Sequence, residues 1–294
     1  MKRARVLSAL VAVGALSLAA AGSQKPTQRA GARVVEIQKI KDNLYVLTGG
    51  GGNSAVFVTD LGVVLVDTKL AGWGQAMLDT IRTVTAKPVT TIINTHAHAE
   101  NTGGNEFFPT SVEIIAQENT RLNMDKMEVF KGAKVNFLPK LMFKDKMTIG
   151  SGKDRIDLYY FGAGHTSGDS WVVFPALRVM HAGDMIEARQ PPIIDGQNGG
   201  SGLAYPTSLA KAAAIKNVDT IITGHGPMMG MKDLEEYAEF NKDFRDAVVS
   251  GYNHGLGLSE VAAGWKIPDR YRGYTAPPER VKANVQAILS ELTR

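Results

Sequence analysis

The chain has 294 residues, 44% of them apolar, enough for a sizeable core in one large domain or two fused halves. It contains no Cys, which excludes disulfides, thiolate nucleophiles and thiolate metal ligands, so any bound metal must be held by nitrogen and oxygen. The formal charge of +4 falls to +1 once Lys2, Arg3 and Arg5 are removed, and no Lys/Arg cluster tracks along a helix, which argues against a nucleic-acid partner.

Those three basic residues precede an apolar run from Val6 to Ala21, interrupted by Ser8, Gly14 and Ser17 and ending in Ala19-Ala20-Ala21-Gly22. A basic start, a short apolar stretch and small residues at its end predict a secretory signal peptide over 1–22, cleaved after Ala21 or Gly22. The run is short for a membrane span, and no Cys follows it to carry a lipid. The expected location is therefore periplasmic or secreted, with no membrane contact after cleavage. A linker over 23–32 leads into one domain over 33–294.

Short β-type runs then follow in series: Val34–Ile40, Leu44–Thr48, Ala55–Thr59 and Val63–Val66, separated by Asp-Asn, Gly-rich and Asp-Leu-Gly turn signals. A helix is predicted over Trp73–Thr85, closed by Lys87-Pro88, and Val89–Asn94 reads as a buried strand. Strands are expected again at Ile156–Phe161, Trp171–Phe174, Val179–Met180 and Thr220–Thr223. Helices are expected at Leu203–Lys216, Lys232–Ser250 and Pro278–Thr293. Two runs of strands, each followed by helices, suggest two packed sheets with helices outside.

The placement of His carries the chemistry. His96 and His98 follow the strand Val89–Asn94; His165 follows Phe161 within Gly164-His165; Asp184 follows Val179–Met180 within Gly183-Asp184; His225 follows Thr220–Thr223 within Gly224-His225. Each lies at the carboxyl end of a predicted strand, beside glycine or a polar loop, and such ends converge on one edge of a sheet. Imidazoles and a carboxylate gathered there make a zinc site, and zinc lowers the pKa of a bound water to ~7. Singly, a His-x-His pair or a Gly-His-Gly turn is common in loops; four such motifs in this order are not.

In this order the motifs resemble those of the metallo-β-lactamase superfamily, whose hallmark is His-x-His-x-Asp-His after a strand, then Gly-His, Gly-Asp and Gly-His. The resemblance spans Val34 to His225. It implies an αββα four-layer sandwich, with His96, His98 and His165 holding one Zn2+, Asp184 bridging to a second, and His225 on the second. One or two Zn2+ per chain would follow. The chain departs from the pattern at Glu100-Asn101, where the family has Asp-His. Glu100 keeps a carboxylate on a side chain longer by about 1.5 Å, whereas Asn101 offers only a neutral amide, so the second metal is the less secure of the two.

Around the ligands, Asp67 at the end of Val63–Val66 is expected to hydrogen-bond a ligand His, with Asn101 and His181 also placed in that outer layer. Gly49–Gly52 with Asn53 reads as a hairpin turn, not a phosphate loop, since no Gly-Lys-Ser/Thr follows. The Met-, Phe- and Lys-rich stretch Met124–Met147 reads as core packing before pocket wall, and His254 as a capping or surface residue. The long loop Ile186–Tyr205, carrying Asp195 and Asn198, is expected to contact substrate. These residues fit a hydrolase acting on a small-molecule ester, lactone, β-lactam or phosphoester, with Glu100 or Asp184 orienting the attacking water. A metal- or ligand-binding protein with a decayed second site is the alternative, and an iron-based oxidase a more distant one. Substrate and oligomeric state are not legible.

Overall fold

A computed structural model describes residues 33–294; the expected signal peptide and linker, 1–22 and 23–32, lie outside the described residues. In chain order its elements are β1 (Glu36–Lys41), β2 (Leu44–Thr48), β3 (Ser54–Val58), β4 (Val63–Val66), α1 (Gly74–Arg82), β5 (Val89–Asn94), α2 (Ala99–Thr102), β6 (Glu113–Gln117), α3 (Glu118–Met124), β7 (Leu141–Phe143), β8 (Lys146–Ile149), β9 (Ile156–Tyr160), β10 (Ser170–Phe174), β11 (Val179–His181), α4 (Tyr205–Ala213), β12 (Thr220–Ile222), α5 (Met231–Asn253), α6 (Leu258–Gly264) and α7 (Pro278–Leu292). The strands form a seven-stranded sheet, β1 to β7 in sequence order, and a five-stranded sheet ordered β12-β11-β10-β9-β8.

Alternation along the strands decides the layering. In β4, Val64 and Val66 face the second sheet while Val63 and Leu65 face Met77 and Ile81 of α1. In β10, Val172 and Phe174 meet the first sheet, where the Phe174 ring lies 5.0 Å from Phe57, while Trp171 and Val173 face α4 and α5. Both faces of each sheet are thus apolar and each outer face is covered by helices, which gives the αββα sandwich. Burying a side chain of the size of Phe57 or Leu65, both fully enclosed, contributes roughly 2 kcal/mol.

The first sheet begins as an antiparallel meander and turns parallel from β4 onward, so β4, β5 and β6 all point their carboxyl ends at the same edge. In the second sheet β11 and β12 are parallel. The two sets of carboxyl ends meet at the edge where the His and Asp residues sit. Three strands were not anticipated: β6, β7 and β8. β7 and the start of β8 fall in the stretch Met124–Met147, whose Met124, Phe130 and Leu138 pack with Ala97 in a small satellite core and whose Phe143 enters the inter-sheet core. The core-packing expectation for that stretch therefore describes its buried side chains.

Candidate metal centre

The loop after β5 carries Thr95-His96-Ala97-His98, bent over Thr95–Ala97 and extended at His98, up to the start of α2, with Glu100 in the helix's first turn. Ala97 is buried against Met124 and Phe130, while the flanking His96 and His98 reach into the donor group with His165 and Asp184. Gly164 precedes His165 after β9. Gly183, in the left-handed region at φ 53°, precedes Asp184 after β11; a Cβ there would press on Thr95 Oγ1 at 2.9 Å. Gly224 precedes His225 after β12.

These residues converge. His96, His98, His165 and Asp184 each offer a ligand atom, all within 4.8 Å of one another, and Glu100, Asp184 and His225 form a second such group sharing the Asp184 carboxylate. Asp184 Oδ2 lies 3.5 Å from His96 Nε2, 3.8 Å from His165 Nε2 and 3.3 Å from His225 Nε2.

The outer nitrogen of each of the first three imidazoles is committed. Thr95 Oγ1 donates its one proton to Asp67 Oδ2 at 2.7 Å, so at 3.0 Å it accepts from His96 Nδ1. His165 Nδ1 donates to Ile193 O at 2.8 Å, and His98 Nε2 donates to Asp195 Oδ2 at 2.8 Å. The neutral tautomers so fixed leave lone pairs on His96 Nε2, His98 Nδ1 and His165 Nε2, all turned inward. His98 Nδ1 and His165 Nε2 are only 3.2 Å apart, an arrangement of two acceptors that wants a cation between them. His96 Nε2 and Asp184 Oδ1 are buried without a protein partner, which fits residues that would hold a metal ion.

The titration behaviour of the cluster agrees. Burial would lower the His96 pKa, yet the charge of Asp184, helped by Asp169 and Asp67, holds it up at about 9. Burial and the neighbouring His96 push His165 down to about 3. Against the penalty of burial, His96 and His225 hold the Asp184 carboxylate well below its ordinary range. The hydrogen bond to Asp184 raises His225. The donor set of three imidazoles and one carboxylate, followed by two carboxylates and one imidazole, suits zinc.

A family model described as the metallo-beta-lactamase superfamily matches residues 47–225, the span that contains every one of these donors. The chain belongs to the metallo-beta-lactamase superfamily. It is 28% identical over 233 residues to the "Metallo-beta-lactamase type 2" of Elizabethkingia meningoseptica, covering 74% of this chain and 86% of that protein. It is 26% identical over 221 residues to "Metallo-beta-lactamase IND-1" of Chryseobacterium indologenes, covering 68% and 85%. Among solved structures, a metallo-beta-lactamase from Pontibacter korlensis superposes with a TM-score of 0.62 at 20% identity, covering 71% of this chain and 99% of that one, which supports the fold. Membership makes the protein a metal-dependent hydrolase.

Against the superfamily's Asp-His, the structure gives Glu100 and Asn101 different fates. Glu100, partly exposed, extends its carboxylate to 3.7 Å from His98 Nδ1 and into the group with Asp184 and His225. Asn101 is fully buried and donates from Nδ2 to Asp67 Oδ2 at 2.9 Å, outside both groups. Asp67 was expected to bond a ligand His directly; its oxygens go instead to Thr95 N, Thr95 Oγ1 and Asn101 Nδ2, and Thr95 passes the contact on to His96. Burial pushes Asp67 up to about 6 despite these bonds. Asp67 and Lys69 both adopt left-handed backbone, at φ 63° and 68°, a strain of order 1 kcal/mol each.

The loop Ile186–Tyr205 is tied to the site through its own polar groups. Asp195 meets His98, and Asn198 Nδ2 donates to Asp195 Oδ2 at 2.6 Å while its carbonyl accepts from Asn123 Nδ2 and Ser167 N. Both residues expected to contact substrate thus also serve the loop's geometry and the orientation of His98. The α7 helix holds this loop from behind: Arg280 Nη1 bonds Glu187 Oε2 at 3.1 Å, Asn284 Nδ2 donates to Pro192 O at 2.8 Å, and Glu291 accepts from Gly202 N at 2.7 Å. His181 is buried, accepting from Gly183 N and donating to Asn53 O at 3.2 Å, and takes no place in either donor group. His254 is exposed at the end of α5, its ring bonded to Ser250 O.

Thr95, Asn53 and Lys69 were not singled out from the sequence for a role at the site. The Lys69 side chain is fully enclosed, burial lowering its pKa to about 7 against the pull of Asp67, and it donates to Leu47 O and Gly52 O. A lysine after a strand-ending Asp gives no local signal of such burial.

Proposed function

We propose that the protein is an exported zinc hydrolase carrying two ions per chain, which attacks an activated carbonyl or phosphoryl group of a small molecule, with β-lactams the first candidates and lactones, esters and phosphoesters next. The observation that carries this reading is the set of inward lone pairs on His96, His98 and His165, facing an Asp184 carboxylate shared with His225 and Glu100. Zinc bound there supplies Lewis acidity and an acidified water at neutral pH. The β-lactamase names of relatives at 25 to 28% identity support the choice of first substrate. The composition of 1–22 supports export to the periplasm or beyond.

The chain's own residues divide the work. Thr95, Asp195 and Ile193 O fix the three imidazole tautomers, so that no ring rearranges during turnover. Glu100, about one-third exposed while Asp184 is enclosed, is the carboxylate placed to receive a proton from the attacking water on the open side. The rival reading, a binder with a decayed second site, rested on the altered Glu100-Asn101 pair; the grouping of Glu100 with Asp184 and His225 favours the hydrolase over it.

The test is the metal content of protein purified without chelator, joined to hydrolysis of a panel of β-lactams, lactones, esters and phosphoesters. About two zinc ions per chain and a hydrolysed member of the panel, lost in His98→Ala, are expected. Hydrolysis that persists in fully demetallated protein would overturn the mechanism. One ion with full activity would confine it to the three-His group.

A further inference from the structure

Three of the four histidines have their outer ring nitrogen anchored, but His225 has no such partner among the described residues, and its side chain is 46% exposed. Something other than its ring contacts must aim it at Asp184. The backbone around it supplies the answer. Asn53, at the end of the β2–β3 turn, donates from its main-chain N to Gly224 O at 2.6 Å, and from Nδ2 to Thr223 O at 2.9 Å and Gly226 O at 3.1 Å. One residue therefore grips the carbonyls immediately before and after His225, across 170 positions of sequence. The grip is itself held from both sheets: His181 donates to Asn53 O, and the buried Lys69 ammonium donates to the preceding carbonyl, Gly52 O. Gly52 packs so closely that a Cβ there would meet Gly224 O at 3.1 Å and His225 Cε1 at 3.7 Å.

We propose that Asn53 is the positioning residue of the Glu100–Asp184–His225 half of the site, setting where His225 stands relative to Asp184, with Lys69 and His181 as its supports. The glycine-rich turn Gly49–Asn53 is then a fixed wall of the site and not a flap over it. The proposal rests on the two-ion reading above for its effect on metal, though not for its effect on the His225 turn. The hydroxyl of Thr223, which bonds His225 O at 2.9 Å and Pro227 O at 3.1 Å, closes the turn from within but fixes nothing to the first sheet. Among the described residues, Asn53 alone provides that link through a side chain.

The experiment compares full-length wild type with Asn53→Ala and the milder Asn53→Ser by two readouts. The first is amide hydrogen exchange over 223–227 in chelator-treated protein. The second is stepwise zinc titration by calorimetry. Faster exchange in this turn, with the second ion weakened ~10–100-fold and the first changed less than about twofold, is the expected result. Unchanged exchange in both variants, or equal weakening of both ions, would overturn it, since a merely structural loss would not discriminate between the half-sites. If wild type takes up only one ion, the two-ion reading fails, and the exchange measurement alone decides whether Asn53 sets the His225 turn.

Discussion

His98 and Asp195 stand 97 residues apart in sequence and 2.8 Å apart in the structure, joined through His98 Nε2 and Asp195 Oδ2. That bond gives His98 the opposite tautomer from His96 and His165, so it presents Nδ1 where they present Nε2. The carboxylate sits low, at about 2, because the bonds from His98 and Asn198 outweigh the penalty of burial. It is therefore ionised at any working pH.

Removing that carboxylate should loosen the first ion. Asp195→Ala is expected to weaken zinc binding by ~10–100-fold in chelator competition, the range for outer partners of ligand histidines. Asp195→Asn, which still offers an acceptor oxygen, should fall between. Wild-type affinity in the Ala variant would mean that His98 is oriented by something else.

Gly224 has no room for a side chain. A Cβ at that position would lie 1.8 Å from Asp184 Oδ1 and 2.7 Å from Gly183 O. Gly224→Ala should displace the shared carboxylate, weakening both ions together and destabilising the fold by ~1–3 kcal/mol. Gly196→Ala, where nothing lies within 4 Å, should stay within about 0.5 kcal/mol of wild type. Urea midpoints and zinc titration of the two variants make the comparison.

Acid should act on the chelator-treated protein through His181. Burial lowers this group from 6.5 to about 4, with Lys69 and His96 adding to the effect and Asn53 O and Asp184 opposing it. The unfolded chain takes up a proton near pH 6.5 and the folded chain does not until about pH 4, so stability is lost as pH falls through that window, by ~3 kcal/mol in all. His165, also depressed, works in the same direction. His181→Gln should reduce the fall in urea midpoint between pH 7 and pH 4.5; an unchanged slope would show that other groups carry the acid sensitivity.

The strands β2, β4 and β5 were legible to the residue because they are dense in β-branched and aliphatic side chains and are bounded by Asp-Leu-Gly, Pro or polar loops. β7 and β8 were not. Leu141-Met142-Phe143 and Lys146-Met147-Thr148-Ile149 are short edge strands among Met and Lys, and their pairing partners decide them. The same contrast runs through the site. His96, His98, His165, Asp184 and His225 announce themselves because a ligand at a strand end beside glycine is a local pattern. Asn53 and Lys69 act through bonds to main-chain carbonyls brought near by the sandwich, which no neighbouring residue encodes. Asn101 is instructive for the opposite reason: its departure from the family pattern is obvious in sequence, but only the burial beside Asp67 shows where its amide went.

The clamp of α7 on the loop 186–205 has a bearing on how the protein comes into being. Every ligand and every strand precedes α7 in the chain, yet Arg280, Asn284 and Glu291 hold the loop that brings Asp195 to His98. During synthesis the sandwich can therefore dock, and the histidines can gather, while one imidazole still lacks its outer support. The hydrogen-bond chain that steadies His98 through Asp195 is thus complete only once the last helix has been made and has docked.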